Sequence, residues 1–146
     1  MTDKLMSRPK AATAGATTDM PAIPNYLVER DGLLYAGSHL LIDLWDAEKL
    51  DDIDFIDATL RAAVAAANAT LLRIDLHHFH ENGGVSGVAI LAESHLSIHT
   101  WPELNYAAID AFMCGSCDPK LTLTVLKKRF NPGRMEVTEQ LRGRQR

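Results

Sequence analysis

The sequence predicts an α+β fold: a two-layer α/β sandwich with a mostly antiparallel sheet and two main helices on one face. Three observations predict it. Six segments have strand length and alternating or continuous apolar character. Two others repeat apolar residues at helical spacing. Turn signals separate them in the order strand, helix, several strands, helix, strand. With 146 residues, one domain is expected.

Residues 1–30 hold Pro9, Pro21 and Pro24 and little periodicity, and read as a flexible N-terminal tail. Residues 31–146 form the expected domain. Leu34 to Leu44 reads as a strand. Asp51 and Asp52 can cap the helix that follows, in which Ile53, Ile56, Leu60, Val64 and Ala67 form one stripe; Asn68 ends it. Thr70 to Phe79 alternates, with Leu72, Ile74 and Leu76 on one face and Arg73, Asp75 and His77 on the other. Glu-Asn-Gly-Gly at 81–84 is a turn. Val85 to Ala92 reads as a central strand. His95 to Thr100 alternates cleanly until Pro102, and Tyr106 to Cys114 is another strand. Asp118-Pro119 opens the second helix, with Leu121, Val125 and Leu126 as its apolar side. Lys127, Lys128 and Arg129 suit its C-terminal dipole, and Asn131-Pro132-Gly133 stops it. Arg134 to Leu141 is the last strand.

Lys and Arg total 15 against 19 Asp and Glu, a net charge of −4. That balance speaks against nucleic acid or an anionic membrane as partner. No apolar run reaches the roughly 20 residues a membrane helix needs. With two cysteines only three apart and no apolar signal segment, a reducing, cytoplasmic location is expected.

Three features carry possible chemistry. His77, His78, His80, His95 and His99 fall within 23 residues. They are either exposed strand and loop residues or the basis of a metal-binding or interaction domain. Adjacent strand residues such as His77 and His78 face opposite ways, and no helix presents a pair, so no metal site is expected. Cys114-Gly-Ser-Cys117 is a single C-x-x-C, which lacks the second pair of a zinc ribbon and is open to thiol redox or proton-donor use. Glu93-Ser94-His95 through Glu103 places Ser94 at a tight junction between strands. Ser-His nucleophilic chemistry and a plain capping serine are both compatible with it, and the G-x-S-x-G elbow of hydrolases is absent.

Gly84-Val85-Ser86-Gly87, then Glu93-Ser94-His95 through Glu103, then Tyr106 to Asp110 and Cys114-Gly115 strongly resemble the short prokaryotic form of S-adenosylmethionine decarboxylase. The likeness runs from about Gly37 to Arg142. It implies a proenzyme that cuts itself between Glu93 and Ser94 and converts Ser94 into a covalent pyruvoyl group, whose ketone forms a Schiff base with the substrate amine and serves as electron sink. By the same resemblance His99 is the proton acceptor in processing and Ser86 assists it. Cys114 is the proton donor in decarboxylation, and Glu103 binds the substrate ribose. His80 occupies the position where the family often has an aromatic residue against adenine. The implied product is decarboxylated S-adenosylmethionine for spermidine synthesis, and the implied assembly is a homodimer of cleaved protomers. Some members of the family resemble ornithine or arginine decarboxylases with the same pyruvoyl machinery. No role follows for Cys117.

Overall fold

The structure, a computed structural model, describes residues 26–146. Seven strands form one sheet: β1 (Val28–Arg30), β2 (Leu33–Trp45), β3 (Leu71–His78), β4 (Val85–Leu91), β5 (Ser94–Trp101), β6 (Tyr106–Met113) and β7 (Arg134–Arg144). The order is β1-β2-β6-β5-β4-β3, with β7 also paired to β2, and every pairing is antiparallel. Helices α1 (Ile53–Ala66) and α2 (Thr122–Phe130) pack against each other and against the sheet. The expected sandwich is what the chain forms.

Strand alternation sorts the sheet into two faces. Leu40, Ile42, Leu44, Ala89, Leu91, Leu96, Ile98, Ala107, Ile109, Ala111 and Met113 point to the helices and are buried. Asp52 caps α1 by accepting from the Phe55 N–H at 3.0 Å, and Ile56, Leu60 and Val64 face the core as the stripe predicts, with Ala63 buried beside them. Arg129 of α2 donates to Thr59 Oγ1 of α1 at 2.8 Å, joining the two helices. The opposite face carries His39, Leu41, Asp43, Ser86, Val88, Ile90, His95, Ser97, His99, Trp101, Asp110 and Phe112. No described helix covers it.

Four expectations need correction. Val28–Arg30 belong to the sheet rather than to the tail; Asp31 and Gly32 both have positive φ and close a two-residue hairpin into β2. The rest of the predicted tail, residues 1–25, lies outside the described residues. Leu72 is exposed because a register shift between Leu71 and Arg73 breaks the alternation of β3. The second helix opens with a 3₁₀ turn, Pro119–Leu121, in which Asp118 caps the Lys120 N–H. That turn rotates Leu121 out to solvent, and the buried side of α2 is Thr122, Leu126 and Phe130.

Candidate active site

The hairpin between β4 and β5 has a loop of only two residues, Ala92 and Glu93, because Leu91 pairs with Ser94. Such tight hairpins normally place positive φ on the loop residues. Here neither loop residue has it, and Ser94 carries φ +138° instead. A non-glycine residue there is strained by roughly 1–3 kcal/mol. The strain falls at Ser94, immediately after the Glu93 carbonyl. The Glu93 carbonyl accepts the Cys114 backbone N–H at 3.0 Å, from the end of β6. The Glu93 carboxylate accepts the Thr70 N–H at 2.9 Å, and Thr70 O accepts the Ala92 N–H at 3.0 Å. Burial pushes the Glu93 carboxyl up, but hydrogen bonds from Thr70, its own N–H and Cys117 outweigh that and hold it below the usual carboxylate range. Ser94 and Cys114 are both half-buried.

A second group sits at the other end of β5. Ser86 and His99 are cross-strand partners, and a hydrogen bond joins Ser86 Oγ to His99 Nδ1 at 2.8 Å. They line a cavity of about 470 Å³ with Phe79, Asn82, Thr100 and Trp101. The Trp101 ring lies 6.3 Å from that of His99. Asn82 Nδ2 donates to both carboxylate oxygens of Glu103, at 3.2 and 3.0 Å. Its Oδ1 accepts the Gly84 N–H at 2.8 Å, which ties the 81–84 turn to the cavity rim. A Cβ on Gly84 would sit 2.8 Å from Thr100 O, so this close approach requires glycine. Phe79, not His80, contributes the aromatic ring to the cavity; His80 is exposed in the turn beside it.

The two groups do not meet within one protomer. Ser94 and His99 are five residues apart on one strand, about 16 Å at the usual rise. Glu93, Ser94 and Cys114 form one end; Ser86, His99 and Glu103 form the other.

A third cluster lies between them, and of its members the sequence offered only His95 as a candidate for chemistry. Arg142 donates to His39 Nδ1 at 3.1 Å, so the ring proton is on Nε2, which donates to Asp110 Oδ2 at 2.6 Å. His95 Nε2 donates to the same oxygen at 3.1 Å, and the Ser97 hydroxyl to the other. His39, His95 and Asp110 have the donor types of a two-histidine, one-carboxylate metal site, with ligand atoms within 4.8 Å. Both carboxylate oxygens already have protein donors, and Arg142 occupies the other ring nitrogen of His39. The arrangement is a closed hydrogen-bond network. His39 and Asp110 share the polar face of β2 and β6, a signal present in the alternation. Of the other histidines, His78 Nε2 bonds to Gly83 O at 2.9 Å and His77 packs on Phe79, so the cluster read along the sequence is dispersed in space.

A family model for S-adenosylmethionine decarboxylase matches residues 38–143. The chain belongs to that family. It is 48% identical over 108 residues to the S-adenosylmethionine decarboxylase proenzyme of Thermomicrobium roseum, covering 73% of this chain and 93% of that one. It is 46% identical over 110 residues to the S-adenosylmethionine decarboxylase proenzyme of Methanococcus vannielii, covering 73% and 89%. The crystal structure of the adenosylmethionine decarboxylase from Aquifex aeolicus superposes with a TM-score of 0.67 at 35% identity, over 73% of this chain and 90% of that one. As a member of the S-adenosylmethionine decarboxylase family the chain is a carboxy-lyase, and the reading of its histidines as a metal-binding or interaction domain gives way. No helix among the described residues is long and apolar enough to cross a membrane.

Proposed function

We propose that this chain cleaves itself between Glu93 and Ser94 and, as a homodimer, converts S-adenosylmethionine into decarboxylated S-adenosylmethionine and carbon dioxide. The observation that carries the reading is the strained Ser94, at φ +138°, following a carbonyl that accepts the Cys114 N–H. That N–H sits where negative charge develops when the Ser94 hydroxyl attacks the Glu93 carbonyl carbon. The amide becomes an ester, Ser94 N leaves as the amine, and the strain at Ser94 is relieved. Loss of the Ser94 α-proton expels the Glu93 carboxylate. Hydration and loss of ammonia leave a pyruvoyl group at position 94.

A base for the α-proton and a hydrogen-bonding partner for the developing oxyanion are supplied by His99 and Ser86, held together at 2.8 Å. Because they lie about 16 Å from Ser94 of their own chain, they act on the Ser94 of a second copy. The sheet face that no described helix covers supports that pairing: it exposes Leu41 and Trp101 and leaves Val88, Ile90 and Phe112 only half-buried, with none of the described residues covering them. A two-fold axis through this face places one chain's Ser94 end against its partner's His99 end, twice.

Once formed, the pyruvoyl ketone supplies the electron sink for decarboxylation. Glu103 offers two acceptor oxygens for a pair of ribose hydroxyls; Asn82 orients them in advance. Phe79 and Trp101 provide flat apolar surface for adenine at the cavity. Cys114 stands beside the carbonyl of Glu93 and returns a proton to the substrate α-carbon after carbon dioxide leaves.

Purified enzyme given carboxyl-labelled S-adenosylmethionine, ornithine or arginine separates the substrates. Labelled carbon dioxide from S-adenosylmethionine alone is expected. Release from ornithine or arginine in its place would overturn the substrate assignment.

A further inference from the structure

Cys117 has no part in the chemistry above, yet it is buried, at 7% exposure, against the cleavage turn. Its thiol donates to Asn68 O at 3.3 Å and also faces the Glu93 carboxylate. Asn68, with φ +58°, is the left-handed residue that ends α1, and it leads directly to Thr70. Thr70 in turn spends both backbone groups on the cleavage turn: its N–H on the Glu93 carboxylate and its carbonyl on the Ala92 N–H. The turn is therefore held on three sides, by the 68–70 loop, by the Cys114 N–H and by Cys117.

We infer that Cys117 is a positioning residue for self-cleavage: its thiol anchors the Asn68 carbonyl of the α1–β3 loop, whose Thr70 N–H holds the Glu93 carboxylate, and so fixes the Glu93 carbonyl in front of the Ser94 hydroxyl. The inference rests on the reading that the chain cleaves at this bond. Burial, with Glu93 beside it, pushes the Cys117 thiol up, so at neutral pH it keeps the proton it donates to Asn68 O. Attack by Ser94 Oγ needs the two reacting atoms held near 3–3.5 Å with correct alignment, and a Glu93 side chain free to swing would widen the distribution of carbonyl orientations. Cys117 itself exchanges no proton and forms no bond in the reaction. Its contribution ends once the bond is cut, because Glu93 is then a chain terminus and no longer has to be aimed.

The test is the rate of self-cleavage of freshly synthesised chain, followed by denaturing mass spectrometry, for wild type, Cys117→Ala and Cys117→Ser. Turnover per cleaved chain and melting temperature are measured alongside. Cys117→Ala removes the donor that anchors the Asn68 carbonyl and is expected to slow cleavage about tenfold. Cys117→Ser keeps a donor and is expected to recover most of that loss. Turnover per cleaved chain should stay within about twofold of wild type in both variants. A Cys117→Ala chain that cuts as fast as wild type overturns the positioning role. Equal slowing in Ala and Ser overturns the donor assignment, as does a loss of turnover that matches the loss of cleavage. A wild type that stays whole instead overturns the cleavage reading beneath it, and the two failures are told apart by the wild-type lane alone.

Discussion

If each active site is shared between two copies, two inactive variants should repair each other. Cys114 lies at the Ser94 end of the sheet and Glu103 at the His99 end, with about 16 Å of β5 between those ends. That distance far exceeds the roughly 3 Å at which a side chain can pass a proton or bind a hydroxyl. Cys114→Ala and Glu103→Ala, each expressed alone, should give little turnover. Co-expressed at equal levels with different affinity tags, half the dimers are mixed. Each mixed dimer carries one site with both lesions and one with neither, so total activity should return to about a quarter of wild type. The assay is carbon dioxide release from carboxyl-labelled S-adenosylmethionine after tandem purification, where mixed dimers alone should reach about half. Were both groups to serve the same protomer's site, every site in the mixed dimer would hold one lesion. Activity no greater than that of the separate variants would refute the shared-site reasoning.

Other outcomes follow from single contacts. Cys114→Ala should still cut itself, because the backbone N–H on the Glu93 carbonyl remains, but should turn over slowly and inactivate as misplaced protons convert the pyruvoyl group to alanine; mass spectrometry of the position-94 fragment reads both. Phe130, fully buried and edge-on to Phe55 at 5.9 Å, should cost about 3–5 kcal/mol when changed to Ala, measured by denaturant unfolding in an uncut Ser94→Ala background. Tyr106 should ionise far above the ordinary tyrosine range, pushed up to about 12 by its hydrogen bond to the Asp43 carboxylate, by burial and by the carboxylate's charge. The raised value means this bond's stabilisation is complete below about pH 10 and lost as pH climbs through the folded value. Ultraviolet titration should show one late tyrosine, and Asp43→Asn should bring it back toward 10; an unchanged midpoint would remove Asp43 as the cause.

Much of the fold was legible because strand alternation and caps are local signals. The α1 stripe, the Asp52 cap and the Leu96 and Ile98 face follow from spacing alone. What escaped depended on partners. Asp31-Gly32 is a strong hairpin signal, but its first strand is three residues long and sits in a Pro- and Thr-rich neighbourhood, so Val28–Arg30 read as tail. The exposure of Leu72 depends on a bulge set by β4, and that of Leu121 on a 3₁₀ turn whose pitch differs from the α-helix. At the site, the resemblance supplied the residue names, but a list of names along a chain does not show that they divide into two ends. That division was implicit in the five-residue separation of Ser94 and His99 along one strand. The Asp110 network and the Cys117 contacts join residues as much as 103 positions apart, and no periodicity reports such pairs.

The most direct measurement is a denaturing mass spectrum of the purified protein, taken before and after treatment with a hydrazine reagent. Cleavage between Glu93 and Ser94 predicts fragments of 93 and 53 residues before any further trimming, with the second lighter by the mass lost in forming a ketone and shifted by the reagent; Ser94→Ala should stay whole and unshifted. A wild-type chain of full length with no reactive carbonyl, yet fully able to release carbon dioxide from its substrate, would contradict the account.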